Sequence, residues 1–526
     1  MSYKINGVSQ VEEQGPTATP AARAEPAPRL AVIGAGAMGA GIAAVAVRAG
    51  LPTALCDVDA AALDRGVQRL RGSLERAVAR GRLPGAEARA ALERLAPTID
   101  LAAAAAGAAV VLEAVPERLD LKREILARAA AAAPRAVLAS NTSSLPIAAL
   151  AAAVPAPERL VGLHFFNPPQ AMALVELVRS ARTDPRAAAT ARALAERMGK
   201  VVVEVADGPG FLVNRCARPY YLEALRIVED GVAEPSQIDR ICRLAGAFPM
   251  GPFELMDVVG LDVSLAVTES MWEQAHGEPR WRPSPIQVSM VAAGRLGRKA
   301  GGGFYPGEPA PPEPDAAPAV VGPSPPVITI AGGEPALLAL RERARRAGID
   351  VHRAPVAGMP LITTFERVPS GHDGPVLMSS VDTTLAARQV ATACAFSLLE
   401  PAPEEGGLVE LGVGPWTPRS AVRAATALFS ALGYATEQVA DAPGGVLGRI
   451  VAQIVNEASF AVDAGVASSE DVDLGMTVGL GHPRGPAVWG GLIGLARVTG
   501  VLDELGDVER DPRYRVAPGL RRRAWS

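Results

Sequence analysis

Aromatic residues are scarce in this chain: Phe, Trp and Tyr make up 4% of 526 residues, although 49% of the sequence is apolar. Alanine carries much of the apolar share, so the core is expected to be helix-rich and packed from small side chains. Cysteine is scarce too, and Cys56, Cys216, Cys242 and Cys394 are scattered without CxxC spacing. That pattern argues against a disulfide framework and against a zinc site; it fits free thiols in a reducing compartment, so a cytoplasmic protein without a metal is expected. There is no excess of positive charge. A net charge of −4 leaves no electrostatic footprint for nucleic acid, and the short basic stretch PGLRRRAWS does not change that. Long hydrophobic runs are missing as well: LAAAAAGAAVVL falls short of the roughly 18 residues of a membrane span. Neither nucleic acid nor membrane is therefore expected as a partner, which leaves a small molecule.

The opening 28 residues, rich in Pro, Ala and Gln, have no apolar segment of a secretory signal and read as a disordered tail. From there to about residue 206, short apolar runs (LAVIG, TALCD, VVLEA, AVLAS, LVGLHFF, VVVEV) alternate with helical patterns, which predicts a mostly parallel sheet with covering helices. Residues 207–307 read as an all-α unit for substrate and dimer contacts, and residues 308–326 as a proline-rich linker. Two further units follow, 327–440 and 441–526. They resemble the first two: DGPGFLVNR recurs as DAPGGVLGR and FPMGP as HPRGP, at a constant offset of 234 residues, as between Asp207 and Asp441. Gly231 and Gly465, Asp239 and Asp473, and Glu223 and Glu457 keep that register, which marks a duplicated helical domain. Upstream, VELV with Glu176 aligns with VELG with Glu410, and VITIAGGEPA resembles LAVIGAGAMG, so the second α/β unit is expected to be a shortened copy.

The first copy holds Gly34, Gly36 and Gly39 in GxGxxG spacing between an apolar strand and a helical pattern, with Asp57 closing the next strand. This is the context of a Rossmann-type dinucleotide site: a tight turn, room for a pyrophosphate at a helix N-terminus, and a carboxylate for the adenosine ribose. Asp57 would repel a 2′-phosphate, which favours NAD over NADP. The shortened copy places Ala331 and Ala336 at the first and third glycine positions and adds Glu334, so it should not bind a dinucleotide. His164, followed by Glu176 in a second apolar run, has the makings of a carboxylate-oriented base at neutral pH, although a histidine in a strand is often only a satisfied core residue.

Taken together, GAGAMGAGIA, EAVPERLDLK, SNTSSLP, GLHFFNPP with VELV, DGPGFLVNR and FPMGPFELMDVVGLD make residues 30–305 resemble the L-3-hydroxyacyl-CoA dehydrogenases. The resemblance implies oxidation of the 3-hydroxyl of a (3S)-3-hydroxyacyl-CoA with NAD. It assigns His164 as catalytic base, Glu176 as its orienting partner, and Ser143 and Asn214 to the reacting oxygen. It places cofactor contacts on the glycine loop with Met38 and on Asp57, Glu117, Lys122 and Asn167, and CoA-side contacts on Ser73 and Arg80, where some members have lysine. Long bacterial members carry a similar second half and act on 3-hydroxybutyryl-CoA or, in phenylacetate breakdown, on 3-hydroxyadipyl-CoA. In the present second half His164 aligns with Leu398, Asn167 with Pro401 and Asn214 with Gly448, so that half is expected to be silent and to serve as an intrachain pseudo-dimer partner, with a homodimer as a further level of assembly. A dehydrogenase of a free hydroxy acid or sugar acid, or a non-catalytic nucleotide-binding scaffold, remain as alternatives.

Overall fold

The computed structural model describes residues 27–307, 324–364, 372–379, 383–390, 392–399 and 407–525. Nearly all of the expected tail, most of the proline-rich linker and Pro401 lie outside the described residues.

Eight strands form the first sheet: β1 (Leu30–Ile33), β2 (Thr53–Cys56), β3 (Leu95–Thr98), β4 (Val110–Glu113), β5 (Val137–Ser140), β6 (Leu160–Phe165), β7 (Leu174–Arg179) and β8 (Val201–Ala206). Their order is β3-β2-β1-β4-β5-β6-β7-β8. All neighbours are parallel except β6 and β7, which pair antiparallel and set His164 directly opposite Glu176. Central strands β1, β2, β4 and β5 are buried along their whole length, which is why they read as continuous apolar runs in the sequence.

The second sheet contains β9 (Val327–Ile330), β10 (Asp350–His352), β11 (Leu361–Thr363), β12 (Val376–Ser379), β13 (Ala393–Ser397), β14 (Leu408–Val413) and β15 (Ala435–Ala440), in the order β10-β9-β11-β12-β13-β14-β15. Apart from a counterpart of β3, this is the order of the first sheet, including one antiparallel pair, β13 with β14. Here one expectation is corrected. The residue opposite Glu410 is Ser397, not Leu398, because the connection between β13 and β14 is one residue longer than that between β6 and β7. Strand alternation turns Leu398 away from the position that His164 holds in the first copy.

Helix Val213–Glu229 follows β8, and helix Leu447–Asp463 follows β15. These two pack against each other with reciprocal contacts at the 234-residue offset. Arg215 Nε donates to Glu457 Oε1 at 2.7 Å, and Arg449 Nε donates to Glu223. The Ala206 amide donates to the Val466 carbonyl at 2.8 Å, and the Ala440 amide to the Val232 carbonyl at 2.9 Å. Residue i meeting j while j's counterpart meets i's is the signature of a two-fold interface, here within one chain. A continuous apolar core joins one face of the first sheet to the helices of both halves. The helical domains differ where residues Gly475–Gly479 form a π-helical turn, whereas their counterparts, 241–245, are the last turn of the regular helix Pro235–Leu244 and its C-cap. Among the described residues no helix is long and apolar enough to cross a membrane.

Candidate active site

The loop after β1 makes a turn that only glycine tolerates. Gly34 has φ +107°, and a Cβ there would lie 2.6 Å from the Ala114 carbonyl oxygen. A Cβ on Gly39 would meet the Gly34 carbonyl oxygen at 1.8 Å, so helix Ala37–Arg48 can approach the turn only because that side chain is missing. Gly36 is exposed, and nothing stands within 4 Å of its missing side chain, which leaves space at the helix N-terminus for a phosphate group. Asp57 Oδ2 accepts the Ala35 amide at 2.9 Å. The glycine loop, half-buried Met38 and Asp57 line a cleft of about 520 Å³ that runs on beside Val115 and Pro116. The residues present therefore fit a dinucleotide.

His164 and Glu176 meet across β6 and β7, with Nδ1 and Oε2 2.7 Å apart and the carboxylate fully buried. The other carboxylate oxygen, Oε1, accepts the Leu212 and Val213 amides at 3.0 and 2.8 Å. One side chain thus ties the imidazole to the start of helix Val213–Glu229. Asn214 occupies the first turn of that helix, and among the described residues its carboxamide makes no hydrogen bond. Ser143 lies in the loop beyond β5, next to Asn141, whose Oδ1 accepts the Phe165 amide at 2.9 Å. His164 Nε2 and the Ser143 hydroxyl likewise have no partner among the described residues. Two connections, Asn141 to Phe165 and Glu176 to Val213, thus tie together the segments that carry His164, Glu176, Ser143 and Asn214.

Glu117 organises the Ser143 loop. Its Oε1 accepts the Thr142 and Ser144 hydroxyls at 2.6 and 2.9 Å and the Ser143 and Ser144 amides at 3.0 Å. Burial pushes the Glu117 carboxyl up, but Lys122 and these donors outweigh it and hold the group below its ordinary value. Lys122 is 1% exposed and shared between Glu113 at 2.7 Å and Glu117 at 3.2 Å. Asn167 is exposed, before Pro168. Ser73, half-buried on helix Ala60–Ala79, and exposed Arg80 at the end of that helix stand apart from the His164 cluster.

Three residues escaped the sequence reading. Glu113 is buried and accepts from Lys122, the Val115 amide and the Ser140 hydroxyl. It had the same signal as Glu176, a lone carboxylate in an apolar run. Asn141 carried no signal beyond its place in a polar turn. Arg218, 5% exposed on the Asn214 face of its helix, is a cation where an apolar side chain is expected.

Comparison with known proteins assigns the chain to a family. Residues 29–208 match the NAD-binding domain of 3-hydroxyacyl-CoA dehydrogenase, and residues 210–307 and 444–524 both match its C-terminal domain. A 3-hydroxyadipyl-CoA dehydrogenase of Escherichia coli is 36% identical over 94% of this chain and 97% of its own length. The crystal structure of an E. coli 3-hydroxybutyryl-CoA dehydrogenase superposes with a TM-score of 0.81 at 35% identity, covering 95% of this chain and 98% of that one. A 3-hydroxybutyryl-CoA dehydrogenase of Mycobacterium tuberculosis is 44% identical over 53% of this chain and 97% of its own length. An NAD-binding domain followed by two copies of one C-terminal domain, with a relative matched over nearly the whole chain, thus settles the lineage: the chain is a member of the 3-hydroxyacyl-CoA dehydrogenase family, an NAD-binding oxidoreductase.

Proposed function

We propose that the enzyme oxidises the C3 hydroxyl of a (3S)-3-hydroxyacyl-CoA, of the 3-hydroxybutyryl or 3-hydroxyadipyl type named for its relatives, to the 3-oxo thioester. The observation that carries this reading is the commitment of His164 Nδ1 to Glu176, which leaves Nε2 without a hydrogen-bond partner among the described residues. With the proton on Nδ1, Nε2 is a base and removes the hydroxyl proton, while the buried carboxylate stabilises the imidazolium that results. The Ser143 hydroxyl and the Asn214 carboxamide hold the C3 oxygen as it becomes a carbonyl oxygen. NAD, when bound, supplies the hydride acceptor.

Gly34, Gly36, Met38 and Gly39 would carry the pyrophosphate and Asp57 the adenosine ribose, with NADP disfavoured by the same carboxylate. Glu117 and Lys122 act by fixing the Ser143 loop beside the cofactor, Asn167 borders it, and Ser73 and Arg80 serve the CoA moiety. The second half stands in for the second subunit of a dimer, and two such chains could pair further. Four buried free thiols suit the cytoplasm.

Replacing His164 with Gln tests the mechanism. NADH formation from 3-hydroxybutyryl-CoA and 3-hydroxyadipyl-CoA should fall in kcat by roughly 10²–10⁴-fold while calorimetric NAD affinity stays at the wild-type value. Near-wild-type turnover in His164→Gln would sink the assignment.

A further inference from the structure

Arg218 stands four residues beyond Asn214 on the same helix face, a rise of about 6 Å. Its Nε donates to the Asn214 carbonyl oxygen at 3.2 Å, and its Nη1 to the Ser264 carbonyl oxygen at 3.2 Å and the Thr268 hydroxyl at 3.1 Å. The guanidinium carbon lies 4.8 Å from the centre of the Tyr221 ring. Every one of these partners is neutral. Among the described residues no carboxylate pairs with Arg218, and Nη2 donates to no protein atom. Burial accordingly holds the group below the ordinary arginine value, with only Tyr221 opposing. A buried cation without a counter-charge is destabilising, so its presence calls for a compensating role.

The second half shows what the helix pair needs and what it does not. The interface charges are kept, Arg215 as Arg449 and Glu223 as Glu457. At the 234-residue offset, however, Arg218 becomes Ala452, Tyr221 becomes Val455, Ser264 becomes Val498 and Thr268 becomes Leu502, all buried. The packing is therefore satisfied by apolar side chains. The polar cluster survives only in the half that also keeps His164 and Asn214.

We infer that Arg218 is a specificity residue whose free Nη2 takes the distal carboxylate of a dicarboxylic 3-hydroxyacyl thioester while the C3 oxygen lies at Ser143 and Asn214. This rests on the reaction proposed above and narrows its substrate. One helical turn between the two anchors suits a short diacid chain of the 3-hydroxyadipyl kind. The incoming carboxylate provides the charge that the protein withholds, and the guanidinium is already desolvated, so a charge-assisted hydrogen bond forms at little further penalty. An acyl chain ending in a methyl group leaves the cation unpaired and should be discriminated against.

The test compares kcat/KM for 3-hydroxyadipyl-CoA and 3-hydroxybutyryl-CoA in the full-length wild type, in Arg218→Ala, and in Arg218→Ala/Thr268→Leu, which installs the side chains that the second half tolerates. Wild type should favour the diacid by about 10²-fold or more, and both variants should lose that preference while oxidising 3-hydroxybutyryl-CoA near the wild-type rate. Equal losses on both substrates in both variants would make Arg218 merely structural and overturn the inference, as would a diacid preference that survives them. A wild type that oxidises 3-hydroxybutyryl-CoA as well as or better than the diacid would overturn the inference alone. A wild type that oxidises neither thioester would overturn the proposed reaction and this inference with it.

Discussion

A buried imidazole in an apolar setting is kept neutral by its surroundings, and His482 is such a group. Among the described residues its Nδ1 has no hydrogen-bond partner, its ring lies between Tyr220 and Phe248, and burial lowers its pKa to about 4. The unfolded chain takes up this proton near pH 6.5, the folded chain only near 4. Stability contributed by neutral His482 is therefore complete above pH 6.5 and is lost as the pH falls towards 4. His482→Phe, which copies Phe248 at the equivalent position, should show a smaller drop in melting temperature between pH 7 and pH 5 than the wild type. An unchanged acid loss would assign that sensitivity to other groups. Legibility at this scale followed the company that a residue keeps. Glu176 stood out as a lone charge in an apolar run paired with a nearby histidine, whereas Glu113, a lone carboxylate without such a neighbour, was passed over. Arg218 did not stand out either, because a cation in a helix is ordinarily a solvated one, and only burial separates the two cases.

Among the elements, β3 went unread. It is four residues long, contains Pro97 and is at best half-buried at the sheet edge, so neither apolar run nor alternation betrayed it. β7 was legible only through Glu176, and its reversed direction was not legible at all, because strand direction is set by connections rather than by composition. The π-helical turn at Gly475–Gly479 was equally silent in the sequence, yet it leans on the candidate site. A Cβ on Gly479 would come within 2.6 Å of Leu174 Cδ2, and one on Gly475 within 3.2 Å of Leu212 Cδ2. Leu174 begins the strand that carries Glu176, and the Leu212 amide binds that carboxylate. Gly479→Ala should accordingly destabilise the protein by about 1–3 kcal/mol and lower kcat. Gly491→Ala, with nothing within 4 Å of the added carbon, should do neither. Thermal unfolding and initial rates on the two variants decide this; a Gly479→Ala protein as stable and active as wild type would remove the turn from the support of the site.

For the molecule as a whole, the duplication was readable because the offset of 234 residues holds without a gap through the helical domains. The slip at Ser397 arose where the register breaks, with an offset one residue short of the constant one that holds from Glu410 on. The two halves are expected to bind cofactor unequally, and the second loop gives the reason. Beside Gly333, the glycine kept at the second position of that loop, Glu334 stands at the N-cap position of helix Pro335–Arg346, which puts an anion where the first copy leaves room for phosphate. Calorimetric titration should find one NAD per chain, and two equivalent sites would contradict that reading of the second loop.

The contact between Phe248 and His482, ring centres 5.0 Å apart, has a bearing on ancestry. In a pair of identical subunits a residue beside the symmetry axis faces its own image, and every mutation there arrives in duplicate. Joined in one polypeptide, the two positions are inherited separately, and each can be tried against an unchanged partner. A phenylalanine on one side and a histidine on the other, a cation at Arg218 and an alanine at Ala452, a regular helix and a π turn all record that freedom: what fusion bought was permission for the halves to differ.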